Sequence, residues 1–279
     1  MKEKIQFFKM HGGGNDFILI DGRELKAPFE NEVIRRLCDR HMGIGADGLM
    51  ILGESDRADF RIDYFNADGY AAGMCGNGAR CAVMLMYKVF DAPRQCTFEI
   101  QGEIYEAEVK TNEMVQLKMQ PFQILHRPEE LQALCTEGIQ KMLWVDSGVP
   151  HLVVEITSSL DDLDVNAMGA ALRYHPMFEP QGTNVNFISV KEEGWLRVRV
   201  YERGVEKETL SCGTGAVACA VYASLQFGWE SPIMVESPGG ALVVVFDRDW
   251  QSIYLLGPVE LVFVGVVFPE FFKSKKEKR

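Results

Sequence analysis

Two long apolar stretches predict two helices that lie inside the fold. Residues 79–90 hold only Arg80 and Lys88 as charges, and residues 216–227 hold none. A helix that is apolar on every side is normally buried. We therefore expect one buried helix in each half of the chain.

Each apolar stretch follows a similar glycine-rich motif. Residues 74–81 are MCGNGARC, and residues 211–218 are SCGTGAVA. The offset between the two copies is the same for the cysteines as for the alanines that come four positions later. The motif therefore indicates two related halves, with a cysteine at the start of each buried helix.

Shorter apolar runs, bounded by glycine, proline and other turn-forming residues, predict strands. In the first half these runs are residues 5–9, 17–21, 49–52, 60–65, 97–100, 104–110 and 114–119. In the second half they are residues 151–156, a strand that opens at 182–186, then 195–201, 233–236, 241–246 and 253–256. Further helices are predicted at residues 31–41 and 165–173.

Strands that alternate with a single buried helix per half indicate an α+β fold, in which a mostly antiparallel or mixed β-sheet curls round each central apolar helix. Residues 121–128 are predicted to cross between the halves, and residues 259–268 to fold back onto the first half. The resulting domain boundaries are 1–122 plus 259–279 for the N-terminal lobe and 123–258 for the C-terminal lobe. We expect the active site in the cleft between the lobes.

Composition narrows the class of protein. The chain is 47% hydrophobic and 25% charged, as expected for a globular protein, and its formal net charge is −11. This negative charge argues against a general nucleic-acid binder, which would need basic residues to neutralise phosphates. The one basic run, at residues 273–279, is predicted to be a solvated tail.

The sequence also predicts a location in the cell. The first residues lack the pattern of an export signal, and no apolar stretch is long enough to span a membrane. Seven cysteines, an odd number, favour reduced thiols over a disulfide framework. We therefore expect a cytoplasmic protein that does not contact membranes.

The cysteines fall into two groups. Five lie among apolar or helical neighbours and are predicted to be small buried residues: Cys38, Cys81, Cys96, Cys135 and Cys219. Cys75 and Cys212 instead stand among glycines. No CxxC pair occurs, and four of the histidines show no shared spacing, so we predict no metal site.

A helix N-terminus carries about half a positive charge, binds anions and lowers the pKa of a thiol from its reference of about 8.5. A single motif of this kind is compatible with an ordinary helix entry, whereas two copies in matching halves favour a function. If the halves face each other, the thiols of Cys75 and Cys212 flank one small molecule. A thiolate then removes a proton from one face of a carbon and a thiol supplies one to the other face, which inverts the stereocentre. As like groups, the two share protons as a coupled pair, and the mechanism needs no cofactor.

Several motifs resemble the diaminopimelate epimerase family, in the right order and over nearly the whole chain. They are HGGGNDF at 11–17, DRHMGIGADG at 39–48, FNADG at 65–69, the two cysteine motifs, GTNVNF at 182–187, YERG at 201–204 and ETLSCGTG at 208–215. The resemblance implies a pyridoxal-independent isomerase that interconverts LL- and meso-diaminopimelate for lysine and peptidoglycan biosynthesis. It also implies two pseudo-symmetric domains.

The resemblance further implies roles for individual residues. Cys75 and Cys212 match the acid/base pair, with Cys212 as the proton acceptor from LL to meso and Cys75 as the donor. Residues that match the ligands of the substrate's two amino-acid ends are Asn15, Asn66, Asn184, Glu202 and Arg203. Residues that match the backbone cradles for the α-carboxylate are Gly76, Asn77, Gly213 and Thr214. His151 and Glu202 match residues that tune the cysteines.

Two positions depart from the family pattern. Val149 stands where many members have asparagine, and Gly48 stands where some have glutamine. Both departures bear on substrate recognition and leave the thiol chemistry intact. Two single-residue alternatives also stay open: His151 as a purely structural histidine, and Glu202 with Arg203 as a surface ion pair.

Two other functions remain open at this stage. One is a racemase of the proline or hydroxyproline type on the same fold. The other is a thiol redox sensor in which Cys75 and Cys212 form a regulatory disulfide. The sequence leaves the oligomeric state open, with a homodimer as one candidate.

Overall fold

The computed structural model describes residues 4–23, 25, 28–135 and 138–272. The basic run at 273–279, predicted to be a solvated tail, lies outside the described residues. The chain forms two compact units, Met1–Leu117 with Pro258–Arg279 and Lys118–Gly257. The unit boundaries therefore fall at 117/118 and 257/258. The sequence predicted domain boundaries at 122/123 and 258/259.

Among the described residues, the first unit contains two α-helices and the first seven strands, the last of which extends past the unit boundary at Leu117. The strands are β1 (Ile5–Gly12), β2 (Asn15–Asp21), β3 (Gly48–Gly53), β4 (Phe60–Asn66), β5 (Gln95–Ile100), β6 (Glu103–Val109) and β7 (Met114–Met119). The helices are α1 (Asn31–Cys38) and α2 (Gly76–Val89).

The described residues of the second unit form the next nine strands and three α-helices. The strands are β8 (Gln123–His126), β9 (Ile139–Asp146), β10 (Pro150–Ile156), β11 (Asn184–Glu192), β12 (Trp195–Glu202), β13 (Lys207–Thr209), β14 (Ile233–Ser237), β15 (Gly240–Phe246) and β16 (Ile253–Pro258). The helices are α3 (Pro128–Leu131), α4 (Val165–Arg173) and α5 (Gly213–Phe227). The chain then returns to the first unit with β17 (Glu260–Val267).

Strand pairing shows that the two halves repeat one topology. In the first unit β1 to β7 pair in chain order, antiparallel except for the parallel pairs β2–β3 and β4–β5. In the second unit β9, β10, β11, β12, β14, β15 and β16 pair in that order, with parallel pairs at the same two places. The predicted α+β fold of two pseudo-symmetric domains with mixed sheets is therefore confirmed.

The end of the chain completes the first sheet. β17 pairs antiparallel with β1, from Ile5 opposite Val267 to His11 opposite Glu260. The prediction that this segment folds back onto the first half is confirmed.

Two local predictions were wrong. Residues 121–128 are not a plain crossing, because they contain β8, which pairs with β9. The helix predicted to reach residue 41 ends at Cys38. Its end is set by Asp39, whose carboxylate accepts hydrogen bonds from the backbone N–H groups of His41 and Met42 at 2.8 and 2.7 Å. Such a side-chain turn competes with the helix.

The two apolar helices are the interior of their units. In α2 every residue from 77 to 86 is buried, and the helix contacts β1, β2, β3, β6 and β17. In α5 every residue from 215 to 223 is buried, and the helix contacts β9, β10, β11, β14 and β15. Each sheet thus supplies contacts around its helix, as the apolar surface of the helix requires.

Candidate active site

Cys75 and Cys212 occupy the same structural position in the two units. Each is the N-cap residue of its buried helix, with extended backbone angles of φ −118°, ψ 112° and φ −131°, ψ 115°. Their carbonyls accept the first helical hydrogen bonds, from Ala79 at 2.8 Å and Ala216 at 3.0 Å. Both thiols are half-buried. Each sulfur therefore lies at the positive end of a helix dipole.

The second glycine of each motif lies where neighbouring side chains leave no room for a Cβ atom. A Cβ atom on Gly215 would lie 2.5 Å from Oδ1 of Asn186 and 3.4 Å from Sγ of Cys212. A Cβ atom on Gly78 would collide with the side chain of Met50. The sequence rule of Cys-Gly-x-Gly therefore reflects close packing at the helix entry.

In the first unit, Asn15 joins the thiol to the helix. Its Oδ1 accepts hydrogen bonds from Sγ of Cys75 at 3.7 Å and from Nδ2 of Asn77 at 3.3 Å. Asn15 is positioned by the two-residue turn at Gly13 and Gly14, which both have positive φ and fix Gly12 opposite Asn15. Cys75, Asn15 and Asn77 are thus brought together.

A charged cluster holds Asn15 from the other side. Nδ2 of Asn15 donates to Asp47 at 2.7 Å, and Arg40 donates to Asp47 at 2.8 Å and to both oxygens of Asp16 at 2.7 and 3.0 Å. Lys9 donates to Asp16 at 2.6 Å. Burial opposes ionisation of Asp16, but the bonds and charges of Arg40 and Lys9 outweigh it and hold its pKa well below the usual range. Asp16, Arg40 and Asp47 lie in motifs noted in the sequence, yet their role in holding Asn15 was not predicted.

Arg80 is another residue whose role the sequence did not predict. It is 0% exposed, and its Nη2 donates to Oδ1 of Asn77 at 2.7 Å. Nε and Nη1 are buried and have no hydrogen-bond partner among the described residues. Burial lowers the pKa of the guanidinium. In the sequence Arg80 was noted only as a charge within an apolar helix.

Asn66 lies at the end of β4 and is exposed. Its Oδ1 accepts from the hydroxyl of Tyr64 at 2.9 Å, and its backbone N–H donates to the carbonyl of Tyr70 at 3.0 Å. Tyr64 also explains Gly48: a Cβ atom there would lie 2.7 Å from both Cε2 of Tyr64 and the carbonyl oxygen of Phe65. The tyrosine thus fills the space that a longer side chain at position 48 would need.

In the second unit, a parallel strand pair brings three polar side chains together. Residues of β10 and β11 pair in register, with His151 opposite Asn184 and Val153 opposite Asn186. Because alternate residues of a strand point to the same side, His151, Asn184 and Asn186 share one face. All three are buried, at 0%, 4% and 0% exposure.

Hydrogen bonds connect His151 to Cys212 through Thr214. Nε2 of His151 lies 2.8 Å from Oγ1 of Thr214, which lies 3.5 Å from Sγ of Cys212. On the other side of the ring, Nδ2 of Asn186 lies 3.0 Å from Nδ1 of His151 and 3.3 Å from the carbonyl of Leu152. Burial lowers the pKa of His151 to about 3, so the ring is neutral at pH 7.

This geometry determines the tautomer of His151. The amide group of Asn186 faces a carbonyl, which only accepts, so it presents its N–H donors there and also donates to Nδ1. The one proton of the neutral ring is then on Nε2 and is donated to Thr214. The hydroxyl of Thr214 is left with its own proton for Cys212. We infer a hydrogen-bond relay from Asn186 to the sulfur.

The remaining predicted residues of the second unit form a neighbouring group. Oδ1 of Asn184 accepts from the backbone N–H of Arg203 at 2.9 Å, and its Nδ2 donates to the carbonyl of Pro150 at 3.0 Å. The guanidinium of Arg203 donates to the carbonyl of Gln181 at 3.0 Å. The carboxylate of Glu202 accepts a hydrogen bond from the hydroxyl of Thr209 at 2.8 Å. Thr209 lies three residues before Cys212 in the chain.

Val149 lies in a turn that packs against Thr214. Its carbonyl accepts from the backbone N–H of Ser147 at 3.3 Å, and Oγ of Ser147 donates to the carbonyl of Thr214 at 2.8 Å. Gly148 has a φ of 112°, which favours glycine. The turn is held by backbone bonds, so valine at 149 does not prevent its formation.

The other cysteines differ from Cys75 and Cys212. Cys38, Cys81, Cys96 and Cys219 are buried, and Cys135 is half-buried. Burial raises the pKa of Cys38 and Cys96 to about 12, and raises the pKa of Cys81, Cys135 and Cys219. These thiols are therefore protonated at neutral pH, which makes them weak nucleophiles.

Neither a metal cluster nor a membrane helix is found in the described part of the chain. No three His, Cys, Asp or Glu side chains there are grouped so that they would hold a metal ion. None of the helices formed by the described residues has the length and apolar character needed to cross a membrane.

Comparison with known proteins gives consistent results. A family model described as diaminopimelate epimerase matches residues 7–125 and 143–262. Diaminopimelate epimerase of Hydrogenobaculum sp. (strain Y04AAS1) is 40% identical over 279 residues, covering 95% of this chain and 99% of the relative. The enzyme of the same name from Aquifex aeolicus (strain VF5) is 37% identical over 275 residues, covering 94% and 97%.

Solved structures show the same fold at low sequence identity. A Bacillus anthracis phenazine biosynthesis protein of the PhzF family superimposes with a TM-score of 0.71 at 16% identity, covering 95% of this chain and 99% of that one. A hydroxyproline epimerase from Agrobacterium vitis, with bound trans-4-OH-L-proline, gives 0.68 at 15% identity, covering 97% and 95%. At these identities the similarity concerns the fold alone.

Proposed function

The chain belongs to the diaminopimelate epimerase family, and on this basis we propose that it interconverts LL- and meso-diaminopimelate with the thiols of Cys75 and Cys212. As a member of this family it is an isomerase. The observation that carries the proposed mechanism is the pair of half-buried thiols, each at the N-cap of a buried helix. No other cysteine combines partial exposure with such a position in the described structure.

The proposed reaction moves two protons. From LL to meso, the thiolate of Cys212 takes the α-proton, and the electron pair of the broken C–H bond passes into the carboxylate as an enediolate. The thiol of Cys75 then gives its proton to the opposite face of the carbon and becomes the thiolate. The reverse reaction exchanges the two roles. The substrate thus keeps its composition and changes only its configuration.

The hydrogen bonds support this assignment of roles. The hydroxyl of Thr214 has a proton available for Cys212, and such a bond stabilises the charged form of the sulfur. Cys75 has the amide oxygen of Asn15 as an acceptor, which suits a protonated thiol. One thiolate with one thiol is also the expected state of a coupled pair.

The relay gives His151 its proposed tuning role. Its neutral ring passes no charge to Cys212, but by donating to Thr214 it directs the threonine hydroxyl toward the sulfur. For Glu202, the proposed tuning role is supported by its hydrogen bond to Thr209, which lies three residues before Cys212 in the chain.

We propose that the α-carboxylate binds at the helix N-termini. The backbone N–H groups of Gly76 and Asn77 begin α2, and those of Gly213 and Thr214 begin α5. Such groups bind carboxylates and stabilise the charge that grows in an enediolate. This arrangement needs neither a cofactor nor a metal, so full activity after treatment with EDTA and hydroxylamine is expected.

The two ends of the substrate are assigned to polar side chains. Asn15, Asn66, Glu202 and Arg203 are proposed to contact them directly. Asn184 is buried with both its oxygen and its nitrogen bonded, so we propose that it acts by holding Arg203 in place. The hydroxyl of Tyr64 is proposed to hold Asn66 in the same way.

A homodimer is the assembly we propose. Val262, Val264 and Val266 lie on one face of β17 and are 50%, 47% and 46% exposed. A row of exposed apolar side chains is typical of a protein contact, and a symmetric dimer uses the same surface on both copies. We also propose a cytoplasmic location, where the two thiols would stay reduced.

The alternatives differ in substrate and in redox behaviour. The similarity to the hydroxyproline epimerase reaches only the fold, whereas relatives of 37–40% identity carry the diaminopimelate epimerase name. An epimerase should lose activity when Cys75 and Cys212 are oxidised and recover on reduction, whereas a redox sensor should act on a partner only after oxidation.

Incubation of LL-diaminopimelate in heavy water with the purified, reduced protein tests the proposal. We expect the meso isomer to form with solvent deuterium at the inverted α-carbon. Absence of both exchange and inversion would defeat the assignment. Turnover of proline or hydroxyproline instead would favour the racemase alternative.

A further inference from the structure

Arg80 is a buried cation with no carboxylate partner among the described residues. Its Nη2 donates a hydrogen bond to the neutral side chain of Asn77 at 2.7 Å. Its Nε and Nη1 are buried and have no hydrogen-bond partner among the described residues. A guanidinium remains charged inside proteins, and an unpaired buried charge is strongly unfavourable. Methionine would fill the same apolar helix without this cost. Folding alone therefore does not explain why an arginine occupies the position.

The guanidinium lies at the same end of α2 as Cys75. Side chains on a helix lean toward its N-terminus, and a Cβ atom on Gly76 would lie 3.8 Å from Nη1 of Arg80. Arg80 is also linked to the thiol by bonds, because Asn77 connects it to Oδ1 of Asn15, which accepts from Cys75. Nη1 of Arg80, which has no hydrogen-bond partner among the described residues, thus lies beside Gly76, the residue that follows Cys75.

The second copy of the motif has no such charge. Val217 stands at the position of Arg80 in the repeat, and it is buried in the apolar core around α5. Cys212 has instead the hydroxyl of Thr214, whose own counterpart in the first copy is Asn77. If the reaction runs in both directions, as the proposed function requires, each sulfur must in turn carry a negative charge. The second unit has the hydroxyl of Thr214 as a neutral donor for its sulfur. In the first unit, the buried charge of Arg80 stands at the same end of the helix as the cysteine.

We propose that Arg80 is the buried counter-charge that stabilises the thiolate of Cys75. It is a positioning residue, since it acts on the sulfur through the field at the end of α2 rather than by touching the substrate. When Cys75 gives up its proton, the negative charge that remains is balanced by the guanidinium. The reaction thereby gains from the same charge that is unfavourable for folding.

Other charged groups around α2 have partners of their own. On the strands that contact this helix, and in the loop before β3, the charged pairs are Lys9 with Asp16, Arg40 with Asp16 and Asp47, His11 with Glu260, Asp21 with Arg23, and Glu108 with Lys110. Glu103 and Glu106 of β6 are exposed. Of these groups, Asp47 is connected to the thiol of Cys75 through the fewest hydrogen bonds, because it accepts from Asn15. Asp47 also accepts a hydrogen bond from Arg40. On α2 itself, the thiol of Cys81 is fully buried and its pKa is raised by burial.

The test is the pKa of Cys75, measured from the rate of alkylation by iodoacetamide against pH. The reacted peptide is quantified by mass spectrometry in a Cys212→Ala background, so the measurement does not depend on any enzyme activity. Replacing Arg80 by Met should raise the pKa of Cys75 by about one unit or more, since a nearby opposite charge shifts a pKa by about 1 to 3 units. The same variant should unfold at an equal or higher temperature.

Two further variants separate charge from other effects. Arg80→Gln keeps N–H donors but removes the charge, and it should shift the pKa of Cys75 as Arg80→Met does. Arg61→Met makes the same chemical change at a half-exposed position of β4, where Arg61 pairs with Asp63, and should leave the pKa unchanged. In the chain that retains Arg80, the pKa should lie below the reference of about 8.5.

The outcomes distinguish this inference from the proposed function. A pKa of Cys75 that stays constant when Arg80 is replaced would overturn it, as would a value above the reference in the chain that retains Arg80. If neither Arg80→Met nor Arg80→Gln folds, the pKa of Cys75 in the chain that retains Arg80 still tests the inference. The deuterium experiment could fail while Arg80→Met still raises the pKa of Cys75. In that case the proposed epimerase function is wrong, but the electrostatic interaction between Arg80 and Cys75 stands.

Discussion

Replacing Thr214 by Val removes the hydroxyl that stands between His151 and Cys212 and preserves the shape of the side chain. In the wild-type chain this hydroxyl lies 2.8 Å from Nε2 of His151 and 3.5 Å from Sγ of Cys212. The backbone N–H of residue 214 is unaffected, so the proposed carboxylate cradle at the start of α5 is retained. The change therefore isolates the relay.

Two effects of known size are expected from this substitution. A hydrogen bond to a charged group contributes about 1.5–3 kcal/mol, and one pKa unit corresponds to about 1.4 kcal/mol. Because Cys212 is only half-buried, we take the lower end and expect its pKa to rise by about one unit. The buried N–H of His151 also loses its acceptor, which should lower the free energy of unfolding by about 1–3 kcal/mol.

The assay is the alkylation rate of Cys212 against pH in a Cys75→Ala background, together with denaturant unfolding. Thr214→Ser keeps the hydroxyl and serves as the matched control, with a pKa close to that of the parent chain. If Thr214→Val lowers stability but leaves the pKa of Cys212 unchanged, His151 and Thr214 are structural and the relay is refuted.

Four more predictions address other parts of the structure. Asn186→Leu removes the donor that fixes the tautomer of His151, so ¹⁵N NMR of the ring should show a mixture of tautomers where the parent chain shows the Nε2–H form alone. Because the pKa of His151 is lowered to about 3 in the folded chain, the unfolded chain binds a proton below about pH 6.5 that the folded chain excludes. The free energy of unfolding should therefore fall by about 3 kcal/mol from pH 7 to pH 4, and it should fall less in His151→Gln. Tyr64→Phe keeps the edge contact with Phe17 but loses the bond to Asn66, so KM for diaminopimelate should rise about fivefold with kcat nearly unchanged. Val264→Glu should yield monomers in analytical ultracentrifugation, whereas the equally exposed Val190→Glu in the second unit should not; unchanged mass in Val264→Glu would contradict the proposed interface.

Much of the fold was predictable because the apolar pattern is strong where the chain is most buried. The apolar segments after Cys75 and Cys212 have no polar face, which required interior helices, and both helices begin immediately after the cysteines. The repeat of the motif then indicated the repeat of the topology. Strand β9 was missed because Gln140 and Lys141 interrupt its apolar pattern, and β8 is too short to give a pattern.

The site was less predictable, because it depends on contacts between distant parts of the chain. His151 and Thr214 are 63 residues apart, and their meeting depends on the contact between β10 and α5. Asn186 lies within a motif that was recognised, but only the register shows that its amide group reaches the ring of His151. The sequence places Arg80 in a helix predicted to be interior, but it does not show the burial and hydrogen bonding of the guanidinium, which depend on the whole unit.

The isotope at the α-carbon tests the use of two separate thiols most directly. LL-diaminopimelate that carries deuterium at both α-carbons is converted in ordinary water by the reduced, wild-type chain, and the product is analysed in the first turnovers. Two thiols predict that the inverted carbon of the meso product carries hydrogen from solvent, because the proton it receives never belonged to the substrate. Substrate deuterium retained at the inverted carbon would mean that a single base returns the proton it removed, and would contradict the assignment of Cys75 and Cys212 as separate donor and acceptor.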